Sequence, residues 1–516
     1  MANPPGIADR QQKIEFHSLA GTSLVKILEL APPRFISAED AQKQLNYVEG
    51  YVRDPSFACK TVVVEQHYID RDHMEDHSVF YSKSLYPYPN FCRRVHFFRI
   101  EKEELRKQID RIRNLRAAGA DVGEETFRRE CAEFSRLYYL GFAVIKPLPG
   151  CPVGRTVLRC LPGESGKGYI RKFHCACDLD AHLLGLRLTV WGLPFQQQDL
   201  GVSACATTAL WTSLQRARQL EQGANATPAQ ITIRASQFAL PFGRPMPSEG
   251  LSLDQMCQAV QSLGYSPSLH RADLFEITRG LLFSSVSSGI SPVLIMDLDK
   301  DTSHAVAVAG VGVTKATQPS ATSAILHRST DLRALYVHDD REGPYLKATI
   351  RRKGKEENLL VHFELPSGKE ETWVLTHILV PLHPKIRLSF AQLYTAGLDI
   401  VYKAQSFAIA SSPSSKPITT LWKSRIFRSS VYIDSLLGEG KSEIVKQLCN
   451  KVPLSRYIGV IRVDATGLDT FDVLLDTTST ERNLNCLAVV QLGKTRPNTS
   501  EFCKFTRDSY GARWIA

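Results

Sequence analysis

The chain has 516 residues, 43% hydrophobic and 22% charged, proportions of ordinary globular domains that exclude a collagenous, coiled-coil or largely disordered protein. Its 63 Lys and Arg against 53 Asp and Glu leave a net charge of +10, spread along the chain, so nucleic acid is not the expected partner. No run approaches the roughly 18 apolar residues of a membrane helix, Met1 to Phe16 lacks the apolar core of a secretory signal, and the twelve cysteines form no pairing framework.

The expectation is therefore a reduced, cytoplasmic protein with no membrane partner, cofactor or metal. In the first 55 or so residues, Pro32-Pro33 precedes a helical piece. The run Thr61 to Ile69 predicts a strand, Asp70 to Asp76 a charged turn and Ser78 to Tyr81 a returning strand, together a hairpin. His67, Asp70, Asp72, His73, Asp76 and His77 crowd that turn, but at no metal-ligand spacing. Leu105, Ile109, Ile112 and Leu115 recur at helical steps within Glu101 to Arg116. Gly119 to Gly123 breaks that helix, Glu124 to Tyr138 resumes it, and Leu140 to Pro149 reads as a strand running into a turn. His174-Cys175-Ala176-Cys177 lacks the second pair a zinc site needs. Residues 1–183 are taken as an N-terminal α+β domain of unknown role.

Residues 184–346 form the second unit. It begins with a strand, Leu186 to Trp191, and a loop of glutamines. Helices follow from about Ala204, after Ser252 and from Leu274, then apolar strands at Pro292 to Leu298, Ala305 to Val313 and Leu335 to Val337. Residues 347–516 read as a mixed α/β domain suited to substrate or partner recognition. Its strands are Leu359 to Leu365 and Glu371 to Val380, with a linker at Ser411 to Lys416 and mixed pieces at Ser429 to Ile433 and Tyr457 to Val463. Gly438-Glu439-Gly440-Lys441-Ser442 looks like the tail of a phosphate-binding loop after a strand at Val431 to Ile433. Position 435 is Ser where that motif needs Gly, so a helix-cap loop is the simpler reading.

The chemistry concentrates in the second unit. Ala206, Ala209, Leu210, Ser213, Leu214 and Ala217 recur at three- and four-residue steps after Cys205. That places Cys205 in the first turn of a helix, with Ser203 as its N-cap, where free N–H groups and the helix dipole favour a thiolate. Gln198, or one of its neighbours Gln196 and Gln197, can donate to a developing oxyanion together with the Cys205 amide. His304 opens a buried strand, and Asp339 ends another beside a turn glycine, Gly343. A nucleophile needs a base, and the base needs an orienting group. Cys205, His304 and Asp339 supply all three. His338 is a rival base, but alternation puts it on the opposite face from Asp339.

These stretches resemble the papain-like cysteine peptidases over about residues 186–345. They are most similar to the bacteriocin-processing, double-glycine-leader peptidase group. That group has a glutamine before a cysteine-headed helix, a His-Ala-Val-Val strand and an Asp-Pro-x-x-Gly turn. Here the counterparts are Gln198…Cys205, His304-Ala305-Val306-Ala307-Val308 and Asp339-Asp340-Arg341-Glu342-Gly343. Ala204 and Ala206 flank the cysteine where the group has glycine, and Asp340 replaces the proline. The resemblance implies an α+β protein whose central papain-like domain has helices followed by an antiparallel sheet. It implies Cys205 as nucleophile, His304 as base, Asp339 as its orienter and Gln198 as oxyanion donor, acting on an amide bond in a polypeptide. Two alternatives stay open: a transglutaminase, deamidase or acyltransferase using the same triad, and an inactive papain-like binding scaffold.

Overall fold

The computed structural model describes the chain except for residues 1–12, 31–36, 118–119, 165–167, 200–203, 222, 224–225, 238–249, 300–301, 316–323, 353, 355–358, 411–416, 466–469, 480–484 and 494–498. The readings of Pro32-Pro33, of Ser203 as a cap and of the linker at 411–416 fall outside the described residues. The protein is a mixed α+β structure, whose described residues form three principal sheets and a separate two-stranded ribbon.

The first sheet is an antiparallel meander of β1 (Ile14–Ser18), β2 (Thr61–Tyr68), β3 (Cys92–Phe98), β4 (Tyr139–Ile145) and β5 (Val153–Leu158). Between these strands run α1 (Leu24–Leu28), α2 (Ala38–Arg53), α3 (Arg71–Val79), α4 (Lys102–Ala117) and α5 (Ala120–Tyr138). Strand β2 is apolar at successive positions because both faces of this sheet are covered. Val62 and Val64 enter the core that α2 caps, whereas Val63 enters the core beneath α4 and α5.

The expected hairpin at 60–81 is not formed. Asp70 adopts extended backbone, and its carboxylate accepts from the amides of Asp72 and His73 at 3.0 and 3.2 Å. The acidic run is thus a helix start rather than a turn. The histidines it carries point to separate carbonyls, His73 to Pro89 and His77 to Tyr88.

Strands β6 (Tyr169–Lys172), β7 (Cys177–Leu183) and β8 (Leu186–Gly192) come next, with β7 and β8 forming the ribbon. Helices α6 (Cys205–Glu221), α7 (Pro228–Ser236) and α8 (Leu253–Ser262) follow, then β9 (Ser266–Arg271), α9 (Phe275–Ser287), β10 (Val293–Asp297), β11 (Ser303–Thr314), β12 (Ala324–His327), β13 (Leu332–Asp339), β14 (Gly343–Arg352), β15 (Leu359–Glu364) and β16 (Glu370–Leu382). The antiparallel order β10-β11-β13-β14-β15-β16 closes on itself, because β10 also pairs with β16. The result is a six-stranded barrel, to which β9 and β6 add at β16 and β11. Along β10 and β11, Leu294, Met296, Val306 and Val308 join the principal core, while Val293, Ile295, Ala305 and Ala307 pack against Ala206, Ala209 and Leu210 of α6. Small side chains on both surfaces let helix and barrel approach closely.

The third sheet runs β12-β17-β18-β19-β20-β21, with β17 (Thr419–Arg428), β18 (Tyr457–Ala465), β19 (Phe471–Asp476), β20 (Cys486–Gln491) and β21 (Arg513–Ile515). Helix α10 (Phe390–Ala410) packs on one face of it, and α11 (Ser429–Gly438) and α12 (Ser442–Lys451) on the other; α13 (Thr499–Tyr510) precedes β21. Val431 to Ile433 therefore lie in a helix, not in the strand a phosphate-binding loop requires. Gly440, at φ +74°, ends α11 through its amide on the Leu437 carbonyl, and Lys441 donates to the Leu492 carbonyl at 2.6 Å.

The sheets cross the boundaries drawn at 183 and 346. Strand β6 joins the barrel from before residue 183, and β14 to β16 carry the barrel on to Leu382. Strand β12 leaves the barrel region to pair in parallel with β17 of the third sheet.

Candidate active site at the barrel rim

Helix α6 starts at Cys205 and rests against β11, which opens with Ser303 and His304. Next to β11 lies β13, whose last residue is Asp339. This packing brings three of the four expected residues together. His304 Nε2 lies 3.1 Å from Asp339 Oδ1, and the Cys205 thiol is within hydrogen-bonding reach of the same imidazole. With Nε2 engaged by Asp339, Nδ1 is the nitrogen left for the thiol. His304 and Asp339 are buried, and Cys205 is half-buried.

The electrostatics follow from that burial. Desolvation alone would lower the His304 pKa, but the Asp339 charge and hydrogen bond, the Cys205 contact and the Asp340 carboxyl outweigh it and hold it well above its ordinary value. Desolvation would raise Asp339. The His304 imidazolium, with Arg341, instead keeps its carboxyl well below the usual carboxylate range. The Arg341 amide donates to Asp339 Oδ1 at 2.9 Å, and the Arg341 guanidinium bridges to Glu371 at 2.9 Å. That guanidinium also stacks 5.0 Å from the centre of the Trp373 ring, which in turn lies 5.6 Å from the His304 ring.

Asp340 was legible only as the residue standing in place of a proline. In the structure it is buried, with Oδ1 3.8 Å from His304 Nε2 and Oδ2 unpartnered. Burial, reinforced by the Asp339 charge against the pull of His304, pushes its pKa up to about 7. The donor atoms of His304, Asp339 and Asp340 lie within 4.8 Å of one another, close enough to share a metal ion. Arg341 already brings positive charge to Asp339, with Nε 3.7 Å from Oδ1, and Nε2 of the imidazole is taken by the Asp339 bond. His304, Asp339 and Arg341 thus already offset one another's charge.

Among the glutamines, Gln197 is fully engaged. Its Oε1 accepts from the Val153 amide at 3.1 Å, and its Nε2 donates to Gln44 at 2.8 Å. Gln196 is buried with Nε2 unpartnered. Gln198 is half-buried and makes no hydrogen bond to a described residue. The donor candidates thus narrow to Gln196 and Gln198, and no hydrogen bond joins Gln198 to Cys205. The loop is pinned beyond them, where the Lys146 ammonium lies 3.2 Å from Asp199 in a buried pair.

Helix α2 ties this loop to the turn after β13. Gln44 accepts from Gln197 and donates to the Arg341 carbonyl at 2.6 Å, and Lys43 pairs with Glu342. His338, the rival base, is directed elsewhere. Its Nδ1 faces the Pro194 carbonyl at 3.3 Å, its ring packs edge-on against Tyr345 and Phe195, and burial lowers its pKa to about 3.

No protein-family model matches this chain, and a comparison with curated proteins finds no match.

Proposed function

We propose that the chain is a cysteine-dependent hydrolase with a papain-like central unit, cleaving an amide bond in a polypeptide. The observation that carries this reading is His304 held on one side by Asp339 and met on the other by Cys205 at the head of a helix. Cys205 passes its proton to His304, and the thiolate sulfur bonds to the carbonyl carbon. The oxyanion so formed takes a hydrogen bond from the Cys205 amide and from Gln198 or Gln196. As the C–N bond breaks, the imidazolium gives its proton to the leaving amine. Water then attacks the thioester while His304 takes the water's proton, and that proton returns to sulfur as the C–S bond breaks. Asp339 keeps the imidazole oriented and supports its cationic form throughout.

Site-resolved alkylation of the native protein with iodoacetamide, across pH 5 to 9, tests this. Among the other eleven cysteines, exposed Cys449 reports ordinary reactivity and buried Cys175 a core thiol. Cys205 should label fastest below pH 7 and lose that lead in His304→Ala. If Cys205 labels no faster than Cys449 in the wild-type protein, the nucleophile assignment fails.

A further inference from the structure

A second feature lies on the same helix, far from the triad. Arg218 is thirteen residues beyond Cys205, on the order of 20 Å along α6. It is 4% exposed, yet its guanidinium makes no ion pair and no hydrogen bond with any described residue, and its Nε is orphaned. A buried guanidinium without a counter-charge is costly, and native structures ordinarily pair it.

Arg218 lines a cavity of ≈ 340 Å³ between α6, the first sheet and the β7–β8 ribbon. Two other arginines border it, each already matched by a carboxylate. Arg94 Nε lies 2.5 Å from Glu65, and the Arg155 guanidinium lies 2.6 Å from Asp70, with Arg155 Nε left unpartnered. Asp180, also in the wall, is held by Arg187 and Thr189 at 2.7 Å each. Buried Asp72 is the carboxyl whose field reaches Arg218, but it shares that field with Arg155 and Arg71 and forms no ion pair with Arg218. One positive charge is therefore unmatched. Gln215 and Gln219 of the same helix also line the cavity, and Tyr68, Phe142 and Leu179 supply an apolar wall.

We infer that this cavity binds a small organic anion, its carboxylate or phosphate group on the Arg218 guanidinium and its apolar part against Tyr68 and Phe142. A planar fork of donors suits either oxyanion. The inference does not depend on the chemistry at Cys205.

The test uses the full chain with benzoate, phenyl phosphate and neutral benzyl alcohol as probes at constant ionic strength, read by calorimetry and by Tm. At least one of the two anions should bind and raise Tm, and benzyl alcohol should not; the tighter anion identifies the oxyanion. Arg218→Gln should weaken binding about tenfold or more, the loss expected for a charged hydrogen-bonding group. Without ligand, its Tm should equal or exceed that of the wild type, because an unmatched charge has been removed. Arg218→Lys, which keeps the charge and loses the fork, should bind with intermediate affinity. Three results would each overturn the inference: no binding of either anion to the wild type, equal binding to Arg218→Gln, or an Arg218→Gln variant that melts lower or fails to fold.

Discussion

At the scale of single residues, Asp340 shows how burial sets the cost of a charge. An unfolded aspartate loses its proton near pH 4, whereas Asp340 in the folded protein holds its proton up to about pH 7. A carboxyl whose folded pKa is raised penalises the folded state increasingly from about pH 4 upward, and the penalty is complete above pH 7. Asp340→Asn removes the ionisable group and should stabilise the protein, with a larger gain at pH 8 than at pH 5. Urea denaturation at both pH values checks this. A loss at pH 8 would mean that an ionised Asp340 supports His304 more than its own burial costs.

At the scale of elements, helix α2 holds the turn that carries Asp339 and Asp340. The close approach is made at Gly343, where a Cβ would lie 2.2 Å from Tyr47 Cδ1. Gly343→Ala should therefore cost about 1–3 kcal/mol, the usual penalty of overpacking. Combining it with Tyr47→Leu should recover part of that loss. Equal urea midpoints for wild type and Gly343→Ala would show that α2 is free to shift. The element scale is also where sequence patterns were most and least informative. Helix α6 is legible because its small and apolar residues recur at helical steps, and strand β11 because Ala305 to Val313 is one unbroken run of small and apolar residues. The segment Arg71–Val79 reads as a turn in sequence but is a helix, because Asp residues serve both turns and helix N-caps and only the bonds made by Asp70 distinguish them.

At the scale of the whole molecule, one apolar core runs from Leu19 to Ala512, and the barrel needs strands from both sides of the boundaries suggested by composition. A fragment of residues 184–346 would lack β6, β15, β16 and most of β14, leaving the barrel open with its apolar interior in water. Such a fragment should show no cooperative urea transition and no near-ultraviolet circular dichroism signal, whereas the full chain should show both. A cooperative transition from the fragment would mean that the helices and the β10–β11–β13 strands suffice alone. A +10 charge read from composition likewise does not locate Arg218, a buried guanidinium that forms no ion pair among the described residues.

The sequence by itself determined the local features of the candidate site: a cysteine at the head of a small-residue helix, a histidine opening a buried strand, and an aspartate ending another. These follow from short-range apolar patterning, which each segment carries within a dozen residues. Tertiary structure alone decided that β10 pairs with β16 about eighty residues later, that Gln197 is spent on holding a loop, that Asp340 is buried beside His304, and that Arg218 faces a cavity without a counter-charge. The reason is physical. The free energy of a buried charge or amide depends on which distant groups the fold brings within a few ångströms of it.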